Sequence, residues 1–487
     1  PYFTLALMAQ AGGRHSRYTL LYSSSFQKAR PKAMLEVIIL AAGEGRRMNS
    51  NHPKVLQPLG GRPMLTHLVE ASAALRPSRT HVVVGAGAEY VESALDDMAC
   101  EFVTQSQRLG TGHAAMQALP SIDPNARVLV LPGDMPLVRT ETLVDLLAVE
   151  ADLAVLSFIA DDPGGYGRIL RDDDGLVRAI REEKDANDDE RQVNEVNSGV
   201  LAATAGNLAD WLSQVRSDNA QQEYYLTDCV GIAASQGQRV RAVVAEHADE
   251  LAGANDRCQL AELEQTFQRR ARAKLMRAGA TLADPDSVQI RGQVEVGRDV
   301  FIDTNVTLIG ELELADDVHI GVGCVVENTK LGPGTRLKPY CVLENVVANG
   351  ACELGPFARL RPGTTLAEGV KIGNFVETKK ANFAAGAKAS HLSYIGDAEI
   401  GKAANIGAGT ITCNYDGVNK HRTTIGHDAF IGSNSALVAP VNIGDSAVIG
   451  AGSVLTHDAP AGELTVARAR QRSISGWVRP TRKAKAE

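Results

Sequence analysis

Aliphatic residues recur every six positions through the back half of the chain, and few folds can hold that period. One ladder runs Val294, Val300, Val306, Leu312, Val318 and Cys324. A second, offset by two, runs Val296, Ile302, Leu308, Leu314, Ile320 and Val326. The spacing returns at Leu331, Leu337 and Leu343, at Leu354, Leu360, Leu366 and Ile372, and in six-residue steps from Ile425 to Leu455. A helix repeats every ~3.6 residues and a strand every ~2, so neither alone sustains a period of six. Short strands joined by tight corners do, wound into a parallel β-helix. Glycine often follows the aliphatic position, as at Gly297, Gly321 and Gly355, where a corner can require positive φ. The rhythm fails twice, between 372 and 400 and between 406 and 425. Loops leaving a rigid scaffold at such breaks are where functional groups gather.

A chain of 487 residues exceeds one hydrophobic core, so two or three domains are expected. The net charge of −8 argues against general nucleic-acid binding, because nothing would neutralise a phosphate backbone. Basic residues do gather at the end, from Arg468 to Lys485. The seven cysteines are scattered and form no CxxC pair, which suits a reducing cytoplasm without structural zinc. No apolar run approaches the ~20 residues of a membrane helix. Residues 1–33 read as an extension, expected to be disordered, with Met34 as the natural start.

From 34 to 255 short aliphatic strands alternate with helical stretches. Strands are expected at 37–40, 81–84, 127–131, 153–158 and 240–244, and helices at 63–75 and 141–149. Continuous apolar strands of this kind suit a parallel sheet covered by helices on both faces. Residues 256–279 form one long helical pattern with Leu260, Leu263, Phe267, Ala271 and Leu275 on one face. Asp256 and Gln259 look like a capping box and Gly279 ends the helix. It would span roughly 35 Å and serve as a spacer. The β-helix is expected over 280–466, followed by a basic tail over 467–487.

After the first strand come Leu40, Ala41, Ala42, Gly43, Gly45, Arg47 and Met48, then Pro53 and Lys54. Backbone N–H groups of such a turn can converge on phosphate oxygens, with Arg47 and Lys54 supplying mobile positive charge. The dinucleotide fingerprint lacks its third glycine, since Met48 stands there. This stretch resembles the sugar-1-phosphate nucleotidyltransferases. Gln105 with Leu109, Gly110, Thr111, Gly112 and His113, then Gly133 and Asp134, Gly165 to Arg168, Glu182, Lys184, Asn197, Thr227 and Asn255 extend the likeness. With the solenoid, the chain resembles the bacterial bifunctional N-acetylglucosamine-1-phosphate uridyltransferase/glucosamine-1-phosphate acetyltransferase family.

The resemblance implies a Rossmann-like nucleotidyltransferase domain, a linker helix and a left-handed parallel β-helix of hexapeptide repeats, assembled as a homotrimer. It implies that Leu40, Ala41, Ala42 and Gly43 line the nucleotide, with Gln105, Gly110 and Thr111 around uracil. Gly133, Arg47 and Lys54 belong to the same site. Gly167, Glu182, Asn197 and Thr227 would hold N-acetylglucosamine, and Asp134 with Asn255 would bind Mg2+. Arg46 departs from the Thr or Ser many members carry, and Pro132 from the Tyr of some. In the β-helix the resemblance implies His391 as general base, suited to proton transfer near neutrality. Arg361, Lys379, Tyr394 and Asn405 would hold the sugar phosphate. Ala408, Asn414, Tyr415, Ser433, Ala451 and Arg468 would contact acetyl-CoA. The implied activity makes UDP-N-acetylglucosamine, for peptidoglycan and lipopolysaccharide, from glucosamine-1-phosphate, acetyl-CoA and UTP, by way of N-acetylglucosamine-1-phosphate. No nucleic acid partner or membrane insertion is expected. A monofunctional nucleotidyltransferase with a structural, trimerising β-helix is the alternative reading. A β-helix carbonic anhydrase is a third, with His319, His391, His421, His427 and His457 as the histidines to consider.

Overall fold

The computed structural model describes residues 34–43 and 45–480, so the 1–33 extension and the last residues of the basic tail lie outside the described residues. The first part of the chain builds a twisted sheet. Its strand order is Val240–Val244, Leu153–Ile159, Glu195–Thr204, Arg127–Pro132, Leu35–Leu40, Arg79–Val84 and Glu101–Thr104. All five expected strands are present, and the two expected helices appear as Met64–Ala73 and Thr140–Ala148. The chain leaves Leu35–Leu40 toward one side of the sheet and returns to its other side at Arg127–Pro132. That reversal opens a crevice at the carboxyl ends of these two strands, where α/β sheets bind ligands.

The sheet is mixed rather than all-parallel. Glu195–Thr204 runs antiparallel to both Arg127–Pro132 and Leu153–Ile159. A buried strand carries the same apolar run in either direction, so composition does not report its polarity. Its pairing shifts register between Asn197 and Leu201, with Gly199 at φ 85. Such a bulge re-aims side chains at a sheet edge or site, and here it includes Asn197.

The second part is a parallel β-helix. An 11-stranded sheet covers one side and a 15-stranded sheet wraps the rest, because Thr307–Leu314, Glu377–Phe383 and Tyr394–Ile400 each continue past a corner. Register gives the length of a turn. Thr307 pairs with Val325, eighteen residues on, and Val325 with Val342, seventeen on. Both ladders face inward and form one continuous core, with Val294 and Val296 half-buried at its start. Each buried Leu, Ile or Val side chain contributes about 1.5–3 kcal/mol. Stability in such a stack is close to a sum over neighbouring coils.

The first apparent break is not a loop. From 372 to 400 the inward positions continue through Thr378, Phe383, Ala389 and Ile395, all buried, so the coil is merely shortened to a five-residue step twice. Threonine fits inside because its hydroxyl finds a neighbour: Thr364 Oγ1 and Thr378 Oγ1 lie 3.0 Å apart. The second break is a true insertion. Ile411 pairs with Ala436, twenty-five residues on, and the excess forms a hairpin closed by a Tyr415–Lys420 bridge.

The linking helix is Arg257–Ala278, with Gly279 in the left-handed region at φ 116. Asp256 accepts from Cys258 N and Gln259 N, but Gln259 caps one residue further back, accepting from Asn255 N at 2.7 Å. Nor is the helix only a spacer. Leu263 and Phe267 pack beside Leu59 and Met64 of the first part, and Leu275 joins the β-helix core. Buried Gln268 bonds both backbone groups of Ile290, at 2.9 Å to the N–H and 2.6 Å to the carbonyl. Arg272 Nε donates to Val288 O at 3.0 Å.

Candidate active sites

A cleft of about 900 Å³ opens above the sheet crevice. Its walls include Leu40, Ala42, Gly43 and Lys54 on the phosphate side and Gln105, Gly110 and Thr111 at the far end. Gly167, Glu182, Asn197 and Thr227 stand opposite, with Asp134 on the floor. Ala41 lies buried behind the wall. Gly133 donates its N–H to Leu40 O at 2.9 Å, and a side chain there would press within 2.8 Å of that carbonyl. Arg47 is exposed and outside the wall, which takes Arg46 instead. Arg108, Tyr166, Ser198 and Glu223 also wall the cleft. They flank motif residues, and only a known loop path distinguishes them from neighbours.

Asp134 sits two residues beyond the strand Arg127–Pro132, and Asn255 just before the linking helix. Lys54 joins them: its Nζ is 2.5 Å from Asp134 Oδ2 and 3.1 Å from Asn255 Oδ1. Two oxygen donors thus converge on one cationic position. A carboxylate and an amide oxygen are hard ligands of the kind Mg2+ takes while retaining waters, so the residues present fit that ion.

Opposite, Thr227 donates its hydroxyl to Glu182 Oε1 at 2.7 Å. Burial pushes the Glu182 carboxyl above its ordinary range. Nearby Asp228 is pushed up to about 6 by burial and by Glu182 and Asp185. Arg168 is almost wholly buried and pairs with Glu183 at 2.6 Å, fixing the loop that carries Gly167. This is a hydrogen-bonding wall facing a charged floor, suited to a sugar beside phosphates.

In the β-helix the candidate residues follow one edge. Asn374 pairs with His391, and the register carried past Asn405–Ile406 brings Ala408, Ser433 and Ala451 to the same edge on successive coils. Arg468 closes the column, donating from Nη1 to Ala451 O at 2.5 Å. His391 is exposed, and its Nδ1 lies 2.7 Å from Asn374 Oδ1. Arg361 reaches Glu377 at 2.9 Å, and Lys379 pairs with Gly396 on the adjoining face. A side chain at Gly396 would meet Tyr394 Oη at 2.5 Å and Asn414 Nδ2 at 2.8 Å, so these two groups converge over a glycine. Asn405 lies on the flat face, paired with Lys388, rather than at the edge. In the hairpin, Lys420 Nζ sits 4.2 Å from the Tyr415 ring. Asp416, held far below the usual carboxylate range by backbone N–H groups and His421, fastens its tip. Asn374 was not foreseen, because only the register brings it beside His391.

A phosphate cleft on an α/β sheet joined to a β-helix with a histidine-bearing edge defines a two-part transferase. A family model described as MobA-like NTP transferase domain matches residues 37–278, and one described as hexapeptide repeat of succinyl-transferase matches 422–457. The bifunctional protein GlmU of Stenotrophomonas maltophilia (strain K279a) is 54% identical over 451 residues, covering 92% of this chain and 99% of that one. That of Aromatoleum aromaticum is 52% identical over 455 residues, covering 93% and 100%. That of Alkalilimnicola ehrlichii is 53% identical over 448 residues, covering 92% and 96%. The chain belongs to the bifunctional GlmU family.

Proposed function

We propose that the two sites act in sequence: acetyl transfer from acetyl-CoA to glucosamine-1-phosphate, then uridylyl transfer from UTP to N-acetylglucosamine-1-phosphate with release of pyrophosphate. The observation that carries this reading is the presence on one chain of the Asp134–Lys54–Asn255 cleft and the His391 edge.

In the cleft, Glu182, Asn197, Thr227 and Gly167 hold the sugar, so that its phosphate oxygen lies in line with the α-phosphorus of UTP. Gln105, Gly110 and Thr111 hold uracil, and Leu40 to Gly43 lie along the nucleotide. Asp134 and Asn255 would hold Mg2+, which would supply charge neutralisation for the phosphates. Lys54, released from that pair, turns its ammonium toward the pyrophosphate that leaves. Positioning and neutralisation of this kind account for most of the catalysis of phosphoryl-type transfer.

On the β-helix, Arg361 and Lys379 bind the sugar phosphate, and Tyr394 and Asn405 orient the ring. Asn374 accepts from His391 Nδ1–H, which leaves the Nε2 lone pair to take a proton from the glucosamine amine. The amine attacks the thioester carbonyl. The tetrahedral oxyanion collapses, and the coenzyme thiolate leaves and recovers the proton from His391. Ala408, Ser433, Ala451 and Arg468 lie beneath the coenzyme, with Asn414 and Tyr415 beside its thioester end.

We assign residues 34–255, 256–279 and 280–466 to the uridyltransferase domain, linker and acetyltransferase domain. A homotrimer is supported by the stack of Tyr340, Phe357 and Phe375, whose ring centroids lie 5.2 and 5.5 Å apart and whose side chains are about half exposed. Apolar surface of this kind marks an interface. Among the described residues no helix is long and apolar enough to cross a membrane, and we place the enzyme in the cytoplasm.

Both half-reactions measured on wild type, His391→Ala and Asp134→Ala test the assignment. His391→Ala should lose acetyl transfer and keep uridylyl transfer, with Asp134→Ala the converse. A wild type without acetyl transfer would sink the reading.

A further inference from the structure

Gln105 presents one face of its carboxamide to the cleft, and its surroundings decide which. Its Nε2 lies 3.2 Å from Gly110 O and 3.0 Å from His113 Nδ1. A backbone carbonyl only accepts, so the group facing Gly110 must be the amide NH2. The second N–H of that NH2 then meets His113 Nδ1, which must carry a lone pair, placing the imidazole proton on Nε2. Gln117, one helical turn on, donates its amide N–H to His113 O at 3.0 Å, while its 3.4 Å approach to the protonated Nε2 sets two donors side by side and makes no hydrogen bond. Both donors of Gln105 are thereby occupied within the protein. Its oxygen is the atom left to meet a ligand, and the side chain is almost completely buried at the cleft wall.

The loop that holds this arrangement is itself rigid. Gly112 N donates to Tyr224 O at 2.8 Å and Tyr224 N to Leu109 O at 2.7 Å. Gly110 has φ 111, and any side chain there would meet Tyr224 O at 2.6 Å. Gly110 O therefore cannot swing away to let the carboxamide turn over.

We infer that His113 is a positioning residue that sets base choice by locking the Gln105 carboxamide with its oxygen toward the base. This rests on the uridylyl-transfer reading of the cleft. Uracil offers an N3–H donor to that oxygen, whereas cytosine offers the N3 lone pair, so two acceptors would oppose each other. A site that leaves a buried polar group facing a like partner rejects the wrong ligand strongly. Without an acceptor at 113, the amide keeps only one of its two anchors. Gly110 O alone then opposes the turn that would bring the NH2 to the cleft, where it would suit cytosine, so the lock is weakened.

The test uses the full chain, with pyrophosphate release from UTP and from CTP in the presence of N-acetylglucosamine-1-phosphate and Mg2+. The variants are His113→Phe, which keeps an aromatic ring without an acceptor, and His113→Gln, which restores one. In His113→Phe the UTP:CTP ratio in kcat/KM should fall at least tenfold, mainly through KM for UTP, and His113→Gln should recover most of it. Circular dichroism and denaturant melts of the same preparations report folding of the domain that carries residue 113. If His113→Phe fails to fold, the ratio in His113→Leu decides under the same criterion. An unchanged ratio in a folded acceptor-free variant, or an equal loss for both nucleotides, overturns the inference. Wild type inactive with UTP would instead overturn the reading on which it rests.

Discussion

Asn374 and His391 stand one coil apart on the same edge, with Asn374 Oδ1 2.7 Å from His391 Nδ1. The contact fixes ring orientation and tautomer together, since the amide oxygen can only accept. Truncating Asn374 to Ala frees the ring to rotate and to carry its proton on either nitrogen. Acetyl-transfer kcat should fall on the order of tenfold, with uridylyl transfer untouched. Equal acetyl-transfer rates for Asn374→Ala and wild type would show that the contact has no part in the reaction.

Lys54 lies between the two oxygens assigned to Mg2+, so metal and ammonium compete for one position. Chelation should abolish uridylyl transfer, leave acetyl transfer intact, and be reversed by added Mg2+. Asp134→Asn should raise the Mg2+ concentration needed for half-maximal rate by an order of magnitude or more. Uridylyl transfer that persists in excess chelator would remove Asp134 and Asn255 from the role.

The Asp228 carboxyl, pushed up to about 6, holds its proton more tightly in the folded chain than in the unfolded one. Its contribution to stability is therefore full below the unfolded value near 4 and lost as pH rises through about 6. Asp228→Asn should match wild type at pH 4 and exceed it at pH 7. The side chain is only partly exposed, and screening by solvent still limits the gain to about 1 kcal/mol or less. Denaturant melts across that window check the sign. A variant that loses stability relative to wild type as pH rises contradicts it.

Gln268 satisfies both backbone groups of Ile290 from the linking helix. Gln268→Ala strands a buried N–H and a buried carbonyl, and should destabilise the junction by on the order of 2 to 4 kcal/mol. Hydrogen exchange at Ile290 should rise with it. Unchanged protection there would mean that water replaces the side chain without loss.

The two halves differed in how far sequence could be read. Six-residue spacing exposes an inward ladder wherever it is built of Ile, Leu and Val, as from Ile425 to Leu455. It loses the ladder at Thr378 and Ala389, which occupy the same inward positions with a hydroxyl or a single methyl. The stretch bearing His391 therefore read as a loop when it is regular coil. In the sheet, apolar runs located the strands but not the reversed direction of Glu195–Thr204. The partnerships of Asn374 with His391 and His113 with Gln105 are set by register and loop path. Residue types near one another in sequence do not encode either.

The edge from His391 through Ala408, Ser433 and Ala451 to Arg468 also works as a ruler. Adjacent strands of a sheet lie about 4.8 Å apart, so the three steps to Ala451, whose carbonyl the Arg468 guanidinium meets, measure out roughly 14 Å between an imidazole at one end and a guanidinium at the other. A cofactor laid along it must bridge that interval between its reacting atom and its anionic end. Removing one whole coil would leave the core stacked and shorten the graduation by one mark, at the loss of whichever of Ala408, Ser433 or Ala451 that coil carries, and so change the length of acyl carrier the enzyme accepts.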